Sequence, residues 1–170
     1  MDLTTREFWA LVHGLVLGGA FLMAFTGGLA GFYSLRPELV TPKGVVERVR
    51  RLKIGTAAMA ILTWLTVVVG TWIVYPWYRE DIPESPRSTL LASPGTEDWH
   101  TFGMEWKEHV AWISPMLATA AAFLAFYYGK DLVRNSLARR IAMGLFVGAF
   151  ALAVIAGVLG ALITKKAPVV

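Results

Sequence analysis

Phe8–Leu35 reads FWALVHGLVLGGAFLMAFTGGLAGFYSL, a run without one Asp, Glu, Lys or Arg. About 20 apolar residues at 1.5 Å rise each suffice to cross roughly 30 Å of hydrocarbon. Three more charge-free runs follow: Ile54–Tyr78, Val110–Gly129 and Ile141–Thr164. In lipid a backbone must satisfy its own hydrogen bonds, so each run is expected to be a helix. The alternating ten-residue segments of a membrane β-barrel are absent. The expected fold is an all-α integral membrane protein, a four-transmembrane-helix bundle forming a single domain over 1–170. Its spans fall at about 8–35, 54–78, 108–129 and 141–164, with a long loop at 79–107.

Composition agrees. Of 170 residues, 56% are hydrophobic and 16% charged, against about 25% in a soluble domain. There is no cysteine, which excludes disulfides, Fe–S clusters, thiolate metal sites and covalent c-type haem attachment. The first run is not read as a signal peptide. It exceeds a 7–15-residue apolar core, its flank carries Asp2, Arg6 and Glu7, and no small-x-small cleavage site follows.

The net charge of +4 reads as a topology signal. Six basic residues lie in Arg36–Lys53 and four in Lys130–Arg140, so the positive-inside rule places both segments in the cytoplasm. Both termini and the 79–107 loop are then expected outside, in the periplasm of an inner (plasma) membrane. Trp9, Trp72, Trp77, Trp99, Trp106 and Trp112 all map to that outer side, as an interfacial belt would. The basic segments are short and carry no nucleic-acid-binding motif, so no nucleic acid is expected as a partner.

Local signals refine the helices. Gly14/Gly18, Gly27/Gly31 and Gly144/Gly148 are small-xxx-small pairs that permit close helix approach. Pro76 is expected to end the second helix, and Ser114-Pro115 to kink the third. Thr96, before Glu97 and Asp98, is expected to cap a third helix that starts near Trp99.

No span core holds a charged residue, which argues against a proton pump, a transporter of charged substrates or an ion channel. Histidines occur only at 13, 100 and 109. His13 and His109 are expected at similar depth on the outer side of two different helices, and paired imidazoles can clamp a non-covalent haem in a bundle. In that reading His13 and His109 are the axial ligands, Trp112 lies on the ligand face, and Arg79 and Lys107 meet the propionates. Glu105 would orient His109. Asp98, His100, Glu105, Glu108 and His109 suit Zn or Cu(II) by ligand type. Glu105 and His109 sit one turn apart, but His100 lies more than two turns from His109, so one ion could not easily collect them all. A solvated helix start with acidic first-turn residues explains most of the cluster, and outer-face metal handling is a third reading.

This layout resembles small four-helix membrane b-type cytochromes. The likeness rests on the outer-side histidines of spans one and three, the Gly55-x-x-Ala58 pattern early in span two and Gly70 late in it, and covers Phe8 to Thr164 in outline. It implies an electron-transfer subunit with at most one haem b, since three histidines cannot serve two bis-histidine centres. Such a subunit would link the quinone pool to an outer redox partner such as a cytochrome. It would not be catalytic alone, but part of a respiratory or photosynthetic oxidoreductase. The alternative is a cofactor-free structural or assembly subunit of a larger membrane complex, supported by glycine-rich spans and the absence of phosphate-loop or nucleophile motifs.

Overall fold

The computed structural model describes residues 2–168. Four helices are long and apolar enough to cross a membrane: α1 (Thr5–Ser34), α2 (Val45–Tyr78), α4 (Trp99–Val133) and α5 (Ser136–Lys166). A short helix, α3 (Pro86–Leu91), lies in the long loop. No strand occurs among the described residues. The exposed faces are themselves apolar, with Met23 and Phe123 72% and 63% exposed, which fits contact with lipid rather than water.

Side-chain caps start α1 and α5 ahead of their charge-free runs. Thr4 and Glu7 form a capping box at the start of α1, with Glu7 N–H donating to Thr4 Oγ1 at 3.2 Å and Thr4 N–H to Glu7 Oε2 at 2.8 Å. Asn135 Oδ1 accepts from Ala138 N–H at 3.0 Å and opens α5. At the basic end, arginines close helix ends from the side. Arg48 Nη1 donates to Ser34 O at 2.6 Å, and Arg139 Nη1 to Leu132 O at 2.7 Å.

α1 packs on α2, α2 on α4 and α4 on α5, and α5 returns to α1. Phenylalanines tie that return: the Phe25 and Phe150 rings stack with centroids 3.6 Å apart, and Phe32 meets Phe146 edge-on. Glycine sets the α1–α2 crossing. A Cβ on Gly55 would lie 3.0 Å from Gly28 Cα, and one on Gly31 3.2 Å from Leu52 Cα. Of the pairs predicted from spacing, Gly31 is buried in this crossing, next to the unpredicted Gly28, and Gly148 faces Leu117, whereas nothing lies within 4 Å of a Cβ on Gly14, Gly18, Gly27 or Gly144. Between α4 and α5 the Ser114 hydroxyl donates to Ala149 O at 2.7 Å, so a buried hydroxyl is satisfied.

Three local expectations change. Pro76 does not end α2, which runs on to Tyr78. A wide turn at Gly70–Val74, in which Tyr75 N–H donates to Gly70 O, shifts the register ahead of the proline ring. The break in α4 falls at Ala111–Trp112 rather than at Ser114-Pro115, because Pro115 has no N–H for the Ala111 carbonyl. Thr96 is not a cap: its hydroxyl donates to Leu90 O at 2.7 Å and pins the loop to α3.

Candidate functional site at the termini end

The apolar core fills the basic and middle levels of the bundle, from Leu35, Leu52 and Leu132 to Phe21 and Ala149. A second, smaller cluster of Tyr78, Leu90, Met104, Ile163 and Ala167 closes the end that carries both chain termini. Polar side chains collect near that end. Three wide helical turns also occur toward it: Val12–Val16 of α1, Gly70–Val74 of α2 and Trp99–Met104 of α4. Turns of this kind are rare and recur at functional sites.

The first two wide turns meet through His13. Its ring packs on Gly70, where a Cβ would lie 2.7 Å from His13 Cε1. Thr66 and Lys107 are among the neighbours of the ring. His13 Nδ1 is buried with no hydrogen-bond partner. Lys107 turns inward toward α5, its Nζ 3.1 Å from where a Cβ on Gly160 would lie. The neighbouring Glu108 lies near Tyr75, and its Oε1 is buried without a hydrogen-bond partner.

A second group adjoins through the tyrosines, whose rings stack with centroids 6.1 Å apart. The Tyr78 hydroxyl and His100 Nδ1 are 2.9 Å apart, and both residues are buried. Arg79 Nη2 donates to Glu105 Oε1 at 2.8 Å, and His100 Nε2 lies 4.0 Å from the same oxygen. Arg87 Nε is also buried without a partner. Arg6 pairs with Glu80 at 2.8 Å and ties α1 to the chain beyond α2.

His109 is placed differently. Its imidazole is exposed, and Nδ1 donates to the Glu105 carbonyl at 2.7 Å. That bond leaves Nε2 as the nitrogen with a lone pair in the neutral ring. It is the Glu105 backbone, not its carboxylate, that orients His109. Trp112, one turn further along α4, meets Trp64 and Trp72 edge-on at centroid distances of 6.2 and 5.8 Å.

His13 faces the Thr66/Gly70 side of α2, while the Trp112 face of α4 meets the Trp64/Trp72 side. Residues two apart lie roughly 200° around a helix, so these are opposite sides of α2. Lys107 points inward, and the same rotation turns His109 outward. His13 and His109 thus have different surroundings: His13 packs on Gly70, and His109 is exposed and bonded to the Glu105 carbonyl. Arg79 is engaged with Glu105, and Lys107 lies inside the bundle rather than at a rim for propionates. For the Zn or Cu expectation, no three His, Asp or Glu side chains converge as a metal set among the described residues.

The residues that do converge are His13, Tyr75, Lys107 and Glu108, with Tyr78 and His100 beside them. From the sequence Lys107 is expected at the propionates, and neither Tyr75 nor Tyr78 carries an expected site role. A usable signal existed: positions 100, 104, 107, 111, 114 and 118 share one helical stripe, and the buried Ser114 and Ala118 lie on it. Extending that stripe toward Trp99 brings Lys107, not His109, to the inside.

No protein-family model, curated protein or solved structure matches the chain.

Proposed function

We propose that the chain is a membrane subunit of an electron-transfer complex, and that the polar site under the termini end is where it receives the head group of a quinone. One observation carries this reading: a buried His13 Nδ1 and a buried Glu108 Oε1 lack partners beside an inward-facing Lys107. Buried polar atoms are ordinarily satisfied, so open ones next to a half-buried, inward-facing cation suit a polar ligand. A quinol hydroxyl offers a donor to His13 Nδ1. Oxidation to the quinone releases two protons and two electrons: His13 Nδ1 and Glu108 each accept one proton, and Lys107 balances the charge. The two electrons pass one at a time to two molecules of a one-electron acceptor on the same side, such as an outer cytochrome. The positive-inside rule applied to the basic segments supports reading that side as the outside of an inner membrane, the periplasm.

The test is tryptophan quenching by short-chain ubiquinone and menaquinone analogues in detergent. Wild-type protein should quench with saturation, and His13→Ala should lose it. Absence of saturable quenching with both analogues overturns the reading. An absorbance spectrum belongs to the same experiment. A Soret band lost in both His13→Ala and His109→Ala would favour the two-histidine haem b instead.

A second reading is a cofactor-free structural or assembly subunit, favoured by the open glycine face of α1. Nothing lies within 4 Å of a Cβ on Gly14, Gly18 or Gly19, and Leu15 beside them is 68% exposed. A face of small residues without a partner is how one membrane subunit meets another.

A further inference from the structure

The opposite end of the bundle holds a separate feature. Between α2 and α4 runs an apolar groove of about 510 Å³, floored by Ala57 and Ala58 and walled by Ile54, Ile61 and Phe126. Its mouth is basic. Arg50 and Lys53 border it and also border an adjoining depression of about 310 Å³ that ends at Gly129 and Lys130. We propose that this groove is a binding site for one anionic phospholipid, with an acyl chain along the alanine floor and the phosphate among Lys53, Lys130 and Arg50.

Three observations argue for that occupant. The groove is open on its side and faces where lipid would lie, and its floor is apolar, so a hydrocarbon chain fits and water does not. From Lys53 to Ile61 the helix rises about 12 Å, close to the depth of one leaflet's hydrocarbon. The charge at the mouth is in excess. Segments 36–53 and 130–140 hold ten basic residues against Glu38, Glu47 and Asp131. Glu47 is shared by Arg50 and Arg51 at 2.9 and 2.8 Å, so one carboxylate meets two guanidiniums. Lys53 has no carboxylate within salt-bridge distance among the described residues. Its Nζ is held 5.2 Å over the Phe126 ring and lies 3.8 Å from where a Cβ on Gly129 would lie. Gly129 has φ of +49°, a backbone turn that favours glycine and carries the chain round to Lys130. The groove is thus an apolar slot with fixed cations at the level of a head group.

Native mass spectrometry of the full chain in detergent doped with dioleoyl-phosphatidylglycerol or dioleoyl-phosphatidylcholine tests this. One phosphatidylglycerol should stay bound at collision energies that strip the choline lipid. The Lys53→Gln/Lys130→Gln double variant should bind it roughly thirty-fold more weakly. Lys53→Arg/Lys130→Arg should restore binding, which separates charge from misfolding. Ala58→Phe, which fills the groove and leaves every cation, should also lose the adduct. Equal retention of the two lipids, or a double variant that binds as wild type does, overturns the proposal. Full retention by Ala58→Phe overturns it too, since the lipid would then be held by surface charge alone. These residues are remote from the quinone site, so the outcome is independent of that reading.

Discussion

A methyl group added at Gly28 would strike the Phe146 ring, whereas one added at Gly14 would meet nothing. The two substitutions therefore act in opposite directions. Gly28→Ala should destabilise by about 1–3 kcal/mol, as overpacking does. Gly14→Ala should leave stability unchanged or raise it by roughly 0.5–1 kcal/mol, since alanine loses less backbone entropy in a helix. Thermal unfolding of the two variants in one detergent checks the contrast. Equal effects would mean that Gly28 is not at a crossing. Glu47 lies in the basic segment ahead of the apolar run 54–78. Hydrogen bonds from Arg50 and Arg51 draw its carboxyl down to about 2. With its folded value depressed, its contribution is present above the unfolded value of about 4.3 and fades as pH falls toward 2. Carbon-13 NMR should show Glu47 titrating well below an ordinary glutamate, and Arg50→Gln/Arg51→Gln should return it toward the usual range. Among single residues, the sequence showed which were polar but not which way they pointed. Lys107 is the clearest case. A lysine one turn before an apolar run reads as solvated, and only the Gly160 gap on α5 makes room for it inside.

At the scale of elements, the four long helices were legible because hydrocarbon thickness fixes their length and charge marks their ends. The wide turns were not. They arise where His13, Pro76 and the Tyr78–His100 contact compete with regular hydrogen bonding, and no local propensity encodes that competition. Proline signals were right in kind but displaced in position. Pro115 disturbs the helix at the carbonyl it fails to reach, one turn back. Glycine pairs were legible as contact surfaces, but spacing cannot say whether the partner is in the same chain. Gly18 decides that question for α1. Gly18→Leu meets no atom of this chain within 4 Å of its Cβ, so the isolated subunit should keep its thermal stability. If α1 docks another subunit, the same variant should fall out of the complex in blue-native gels of the native membrane. Retention of the full-size complex would remove the assembly role from this face.

For the whole molecule, the up-down order α1–α2–α4–α5 puts both termini at one end and the ten loop cations at the other. Which end faces the cytoplasm is a prediction of the positive-inside rule, and the absence of native cysteine makes it simple to check. Single cysteines at Glu84 and Lys43 can be probed in intact cells with a membrane-impermeant maleimide. Glu84→Cys should react and Lys43→Cys should react only after permeabilisation, and the reverse pattern would invert the topology. The two-histidine expectation belongs to this scale as well. Similar depth on two helices is visible in sequence, but rotation about each helix axis is set by packing. Here packing turns His13 inward and His109 out.

The wide turns have one more consequence. They lie toward the termini end, while the glycine crossing and the phenylalanine stack lie in the rest of the bundle. Wide-turn hydrogen bonds are fewer and less regular, so one end of the molecule should breathe while the other stays closed. Amide exchange in nanodiscs should be faster at 12–16, 70–74 and 99–104 than at 55–63. A molecule built this way admits a guest by loosening one storey and leaves the storey below as its foundation.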